Sequence, residues 1–311
     1  MRFLLVLVSC FSAFCAAASA AQTDAIVARV NSEVIMLSQM RDAALDQDVP
    51  IQDLMSDGLK GAGFRRVLTA LVDEALLVQR AAKDEIKLDD VAIAGNVDRM
   101  IKELDRQLGS HEALEAYLKD HSLSFEEFRE MLTRRERRRT LATEVVARRV
   151  KTDAATIAEF EKKCLAENKP TESVRLAHIL VKVPGGDRAG AAAAAAYRKA
   201  LSIARRAGSD PARFPALARE NSDDAATRQA GGDLGWLDPR TIRPTLKQAA
   251  GGLKTGDVSE PVWADDGWHI VQLVDRRDVR DLYFADAFAR ERARLVEQLR
   301  AEATIKIYDP Q

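Results

Sequence analysis

Along this chain, apolar positions first alternate with polar ones, then recur every three to four residues, then alternate again. Ala25-Ile26-Val27-Ala28-Arg29-Val30 and Glu33-Val34-Ile35-Met36 flank Asn31-Ser32, which predicts two short strands about a tight turn. Helical spacing follows. Phe64, Val67, Leu68, Leu71, Val72, Ala75 and Leu76 mark one amphipathic helix, and Val97, Met100, Ile101, Leu104 and Leu108 mark another capped by Asp89 or Asp90. Ser124 with Glu127 forms a capping box for a third helix running towards Val150. Residues 153 to 166 predict a fourth, stopped by Asn168 and Pro170.

Near Thr171 the period changes. Leu176, His178 and Leu180 alternate with Ala177, Ile179 and Val181 in a strand apolar on both faces, so a new domain is expected to start here. An alanine-rich helix over Ala189 to Ala207, a short helix over Phe214 to Glu220, a glycine-rich turn at 231–235 and a closing strand from Trp268 to Asp275 complete an α+β unit. From Leu282 the chain returns to helix, with Phe288, Leu295, Val296 and Leu299 on one stripe, and ends in the strand-like Thr304-Ile305-Lys306-Ile307-Tyr308. That stripe has no partner inside the α+β unit, so the tail is expected to complete the amino-terminal core. There is no internal repeat.

The first twenty residues set the compartment. Arg2 precedes an apolar run from Phe3 to Ala18 that ends in Ala18-Ser19-Ala20, the pattern of a secretory signal peptide cleaved after Ala20. Read as a membrane anchor, the run is diluted by Ser9, Ser12 and several alanines. Leu7-Val8-Ser9-Cys10 resembles a lipoprotein processing site, but only Phe3 to Val8 precede it, less than the roughly 7–15 apolar residues such a leader uses. Cleavage removes Cys10 and Cys15 and leaves Cys164 alone, so no intramolecular disulfide can form. The remaining ~290 residues suggest about two domains held by ordinary cores.

Lysine and arginine number 47 against 48 acidic residues, which excludes a global field that would select nucleic acid. The run Arg134, Arg135, Arg137, Arg138 and Arg139 reads as a solvated helix face, because Glu136 and Glu144 lie in it and no aromatic residues interleave for base stacking. Trp236 and Trp268 read as core residues.

Of the four histidines, His178 and His269 lie on expected strands among apolar same-face neighbours: Leu176 and Leu180 beside the first, Val271 and Leu273 beside the second. A buried imidazole needs hydrogen-bond partners, and if the strands are adjacent the two rings can serve each other. Zinc would need three or four ligands, and with no second cysteine nearby only carboxylates such as Asp224 could complete the set, so no metal is expected.

Between these strands lie Asn221-Ser222-Asp223-Asp224-Ala225, Gly231-Gly232-Asp233-Leu234-Gly235-Trp236 and Asp265-Asp266-Gly267-Trp268-His269-Ile270. His178-Ile179-Leu180, Ser222 with an acid two residues on, Gly-Gly-Asp-Leu-Gly-Trp and a closing Gly-x-His-Ile, in this order over residues 172 to 277, resemble the parvulin family of peptidyl-prolyl isomerases. The resemblance implies roles: His178 and His269 are the paired core histidines, Asp224 stands at the position beside the substrate, and Leu234, Ile242 and Leu246 form the proline pocket. Two residues depart from the family pattern. Leu246 stands where phenylalanine is usual, and Asp266 where serine, threonine or another polar residue is usual. The loop after Leu180 lacks the clustered arginines of phosphate-directed parvulins, so phosphoserine specificity is not implied.

Outside this unit, Val27-Ala28-Arg29-Val30-Asn31 with the following strand and helix, and Phe125-Glu126-Glu127-Phe128-Arg129 with the arginine-rich helix behind it, resemble the SurA family over residues 23 to about 168 and the tail 281–309. In that family the tail folds back onto the amino-terminal domain. The implied architecture is a signal peptide at 1–20, a mainly helical chaperone domain over 21–169, an inserted parvulin-like α+β domain over 170–279, and a returning helix and strand over 280–311. The implied function is a periplasmic folding chaperone with prolyl isomerase activity. Its partners would be unfolded outer-membrane proteins and proline-containing peptides, with no cofactor, no nucleic acid and no stable membrane insertion. Leu246 keeps open a non-catalytic alternative, in which the parvulin fold serves only as a peptide-binding module.

Overall fold

The computed structural model describes residues 24–47, 49–50, 61–121, 123–183, 185, 188 and 190–308. The expected export leader lies outside them. In chain order the elements are β1 (Ile26–Val30), β2 (Glu33–Met36), α1 (Leu37–Asp46), α2 (Ala62–Lys83), α3 (Asp90–Leu108), α4 (His111–Asp120), α5 (Phe125–Ala147) and α6 (Ala154–Ala166). They continue with β3 (Ser173–Lys182), α7 (Ala191–Ser209), α8 (Phe214–Asn221), β4 (Asp233–Leu237), α9 (Pro244–Gly251), β5 (Val262–Ala264), β6 (Gly267–Arg277), α10 (Val279–Glu302) and β7 (Ile305–Ile307). Contacts divide the chain into two compact units, one made of Met1–Val150 with Phe288–Gln311, the other of Lys151–Ala287. The second is therefore inserted into the first.

The discontinuous unit is built on the stripes read from sequence. β1 and β2 form a hairpin with Asn31 in the left-handed region at its turn (φ 56°), and β7 pairs with the free side of β1 to give the order β2-β1-β7. Asn31 ties the ends together: its backbone N–H donates to the Thr304 carbonyl at 2.8 Å and its side-chain oxygen accepts from the Thr304 N–H at 2.9 Å. Val27, Val30, Phe64, Val72 and Leu76 share one core with Leu295, Val296 and Leu299, and Phe288 packs at its edge. The three buried tail side chains each contribute about 1.5–3 kcal/mol of transfer free energy, an upper estimate because the unfolded chain already hides some surface. A second core joins Val97, Ile101 and Leu104 of α3 to Leu114 and Leu118 of α4 and Phe128 and Leu132 of α5. Caps fall where the sequence puts them. Asp89 caps α3, and Ser124 and Glu127 close a full capping box on α5.

Two features of this unit differ from the sequence reading. α1 and α4 are additional helices; each is ten residues long, and α4 shows its periodicity only through Leu114 and Leu118. The arginine run on α5 is not simply a solvated face. Arg138 bridges Glu33 and Glu74 at 2.8 Å each, Arg137 pairs with Asp90, and Arg139 holds the buried carboxylate of Glu136, which also accepts from Asn96 at 2.7 Å. Helix packing brings acids from other elements against the run, which a single-helix pattern does not reveal.

The inserted unit holds a four-stranded antiparallel sheet in the order β4-β3-β6-β5. The period-two alternation of β3 sends Ala177, Ile179 and Val181 to one face, where α7 and α8 cover them through Ala200, Ile203, Phe214 and Leu217. Val174 and Leu176 face the other way with Val271 and Leu273 of β6, under Leu246 and Ala250 of α9. β4 occupies part of the segment that reads as a glycine-rich turn, and α9 and β5 are also additional. All three are short, eight residues at most, and carry little periodic signal. Among the described residues no helix is long and apolar enough to cross a membrane.

Candidate active site

His178 and His269 lie on adjacent central strands, with Leu180 of β3 opposite His269 of β6 and His178 opposite Val271. Both rings therefore point to the face that carries Leu176, Val271 and Leu246, away from α7 and α8. They are 5% and 0% exposed, so every ring nitrogen must find its partner inside the protein. The two Nδ1 atoms face each other at 3.1 Å, with the rings stacked at 5.3 Å between centroids. The Nε2 of His178 is 2.7 Å from an oxygen of Asp224 and 3.2 Å from the Thr227 hydroxyl, and that hydroxyl donates to the same carboxylate at 2.6 Å. On the other side the Nε2 of His269 is 2.8 Å from Asp266, which also accepts from Arg243 at 3.3 Å.

Local structure explains how the loops reach these rings. The buried Ser222 hydroxyl accepts from the backbone N–H groups of Leu180 and Asp224 at 3.2 and 3.3 Å, and Asp223 N–H donates to the Leu180 carbonyl at 2.8 Å. This pins the loop after α8 to β3 and aims Asp224 at His178. Gly232 accepts from the His178 N–H at 2.8 Å with φ +80°, and a Cβ there would stand 2.2 Å from the His178 carbonyl oxygen. Only glycine fits such an approach. Gly267 plays the matching part ahead of His269, with φ +145° and a Cβ position 2.3 Å from the Val181 carbonyl oxygen.

The electrostatics follow from burial and these bonds. Burial works to raise the Asp224 pKa, but hydrogen bonds from Thr227, His178 and the Ala226 N–H outweigh it and bring it down to about 2. Burial likewise opposes ionisation of Asp266, and the hydrogen bond and charge of His269 overcome it, leaving that carboxyl below its ordinary value. For His269, burial dominates and lowers the pKa; the bond to Asp266 works against this, and the charges of His178 and Arg243 add to it.

All six residues singled out in the sequence occupy one face of the sheet: His178, Asp224 and His269 in the polar network, Leu234, Ile242 and Leu246 in the apolar cluster of that face. Leu234 and Ile242 are half-buried and Leu246 is 5% exposed, so Leu246 forms the floor of the cluster. Thr227 and Arg243 escaped sequence reasoning. Asp266 stood out there only as a departure from a family pattern, although its place three residues before His269 was a usable signal. A cavity of about 580 Å³ opens at the β5 edge of the sheet, lined by Thr245 and Gln248 of α9, Val262 and Trp263 of β5, and Trp268, and its lining includes none of the six residues singled out in the sequence. Neither Trp236 nor Trp268 is a fully buried core residue as expected: both are half-buried, Trp268 packed on Tyr197 at 4.6 Å and Trp236 beneath the Arg277 guanidinium at 3.8 Å.

Residues 178–275 match the family described as PPIC-type PPIASE domain, and residues 1–142 match the SurA-like N-terminal domain. The protein described as Chaperone SurA from Alcanivorax borkumensis is 31% identical over 258 residues, covering 82% of this chain and 57% of that protein. Chaperone SurA from Pseudomonas fluorescens is 27% identical over 277 residues, covering 86% of this chain and 62% of its own length. The chain thus spans less than two thirds of these relatives. Among solved structures, the parvulin domain of PpiD from E. coli is 28% identical, covering 34% of this chain and 90% of that one, with a TM-score of 0.28. The chain is thus similar to SurA chaperones, through a match to the SurA-like N-terminal domain over residues 1–142 and to the PPIC-type PPIASE domain over residues 178–275.

Proposed function

We propose that this chain is a periplasmic folding factor that binds unfolded client polypeptides and catalyses cis/trans isomerisation of their X-Pro bonds. The observation that carries the reading is the buried Asp224–His178–His269 network set on the same sheet face as Leu234, Ile242 and Leu246. Isomerisation makes and breaks no covalent bond, so the site needs no nucleophile. The obstacle is amide resonance, about 18–20 kcal/mol. The apolar cluster grips the pyrrolidine ring, and the polar network, held ionised at Asp224 beside it, favours the twisted amide over the planar one. His178, Asp224 and His269 act through this field rather than as general bases.

In this reading residues 21–169 and 280–311 hold the client and residues 170–279 isomerise it. The clients are unfolded outer-membrane proteins, whose strands alternate apolar and polar residues and expose apolar surface before insertion. The apolar leader that ends at Ala20 supports export to the periplasm. A protease-coupled assay on an Ala-Pro-Phe peptide tests catalysis, and suppression of aggregation of an unfolded outer-membrane barrel tests client binding. Acceleration of the peptide's isomerisation, lost in Asp224→Ala with the fold intact, is the expected result. Client protection without any acceleration would sink the enzyme and leave the peptide-holding alternative.

A further inference from the structure

The site contains a second carboxylate, Asp266, placed on His269 as Asp224 is placed on His178. The proton count that this symmetry imposes is specific. An ionised carboxylate only accepts hydrogen bonds, so each Nε2 must carry a hydrogen that it donates, His178 to Asp224 and His269 to Asp266. The Thr227 hydroxyl gives its own hydrogen to Asp224 at 2.6 Å and leaves that assignment unchanged. Two neutral imidazoles have then used both their ring hydrogens, and the Nδ1 atoms would meet lone pair to lone pair at 3.1 Å. The contact becomes a hydrogen bond only if one more proton lies between them.

We propose that Asp266 is a positioning residue: together with Asp224 it holds both Nε2 atoms protonated, so the His178–His269 pair keeps one shared proton between its Nδ1 atoms and titrates as a unit. Among the described residues the charged groups facing the pair are Asp224 from the loop after α8, Asp266 from the turn between β5 and β6, and Arg243 from the loop before α9. Two carboxylates favour the first added proton. Burial is the largest force lowering the His269 pKa and opposes that proton, the bond and charge of Asp266 work for it, and once one ring is cationic the charges of His178 and Arg243 resist a second. The proton belongs to the pair and to neither ring alone. As pH rises past the pair's titration the proton leaves and the bond between the rings is lost, so His269 no longer fixes the His178 ring, whose Nε2–H still donates to Asp224. This consequence for turnover, unlike the proton arrangement itself, rests on the isomerase reading.

The test is nuclear magnetic resonance of the full chain labelled at histidine nitrogens, followed across pH. The expected wild-type result is two Nε2 atoms that stay protonated and a single titration felt by both Nδ1 atoms. Asp266→Asn removes a facing anion and moves that titration to lower pH. Arg243→Gln removes a facing cation at an exposed position and moves it to higher pH. A residue with only a packing role would not give opposite shifts. Two rings that titrate separately, or a titration unmoved in Asp266→Asn, would overturn the proposal. Should that variant fail to melt like wild type, the wild-type titration and the Arg243→Gln shift decide. Peptide isomerisation measured over the same pH range separates the two readings. An alkaline limb that moves with the ring titration supports the positioning role, and a limb that stays put refutes it. No isomerisation at any pH, with the ring titration as expected, would fell the function and leave the proton arrangement standing.

Discussion

Both units bury ionisable side chains, and they answer them in opposite ways. In the discontinuous unit the buried groups are carboxylates met by arginine: Glu136 takes Arg139, and Asp73 accepts from Arg300 at 2.7 Å. Arginine keeps its charge at any pH a protein survives; the Asp73–Arg300 contact fastens α10 to α2, and the Glu136–Arg139 contact lies within α5. In the inserted unit the buried groups are histidines met by carboxylates, and a histidine can gain or lose its proton near neutrality. One unit meets its buried carboxylates with fixed positive charge; the other links two buried histidines to two carboxylates.

The largest way to separate the units is to delete the chain after Ala287. This removes Leu295, Val296, Leu299, β7 and Arg300 from the first unit while keeping Tyr283, which packs edge-on to Phe160 at 5.4 Å in the second. The loss of several buried side chains at about 1.5–3 kcal/mol each rivals the whole stability of a domain. Thermal melts should show the first transition abolished and the isomerase transition kept. A normal melt would mean the tail is an appendage.

Within the inserted unit, His178→Ala should cost about 2–4 kcal/mol, because it opens a cavity and strips His269 of its Nδ1 partner. Denaturant unfolding measures this, and isomerase activity should vanish with it. Glu136→Ala in the first unit should cost about 1–3 kcal/mol through the unpaired Asn96 amide, with no change in isomerisation. An effect of that substitution on turnover would break the division drawn here.

The smallest effect is the most diagnostic of the titratable side. Asp224 has a folded pKa of about 2 against an ordinary 3.8, so it contributes stability above the unfolded value that is lost as pH falls from about 4 to 2. The contribution is at most about 2 kcal/mol. Asp224→Asn should therefore narrow its stability gap to wild type across that acid window, read by thermal melts at successive pH values. A gap that persists below pH 2 would show that Asp224 acts by packing.

Much of this was legible in the sequence because it is local. Period two placed His178 among Leu176 and Leu180, period 3.6 marked the helical stripes that reappear in the cores, and Ser124 and Asp89 announced their caps. Short elements such as α4, α9 and β5 were not legible, since eight or ten residues hold too few repeats to betray a period. The sequence also determined that two histidines would be buried on strands, because no polar neighbour shares their face. Only the tertiary structure decided what they would meet there. The register of β3 against β6, the loop pinned by Ser222, and the turn that brings Asp266 and then Arg243 to His269 join residues up to 91 positions apart. A hydrogen bond depends on ångström distances that only the folded chain defines, whereas periodicity depends on spacing that the chain carries in itself.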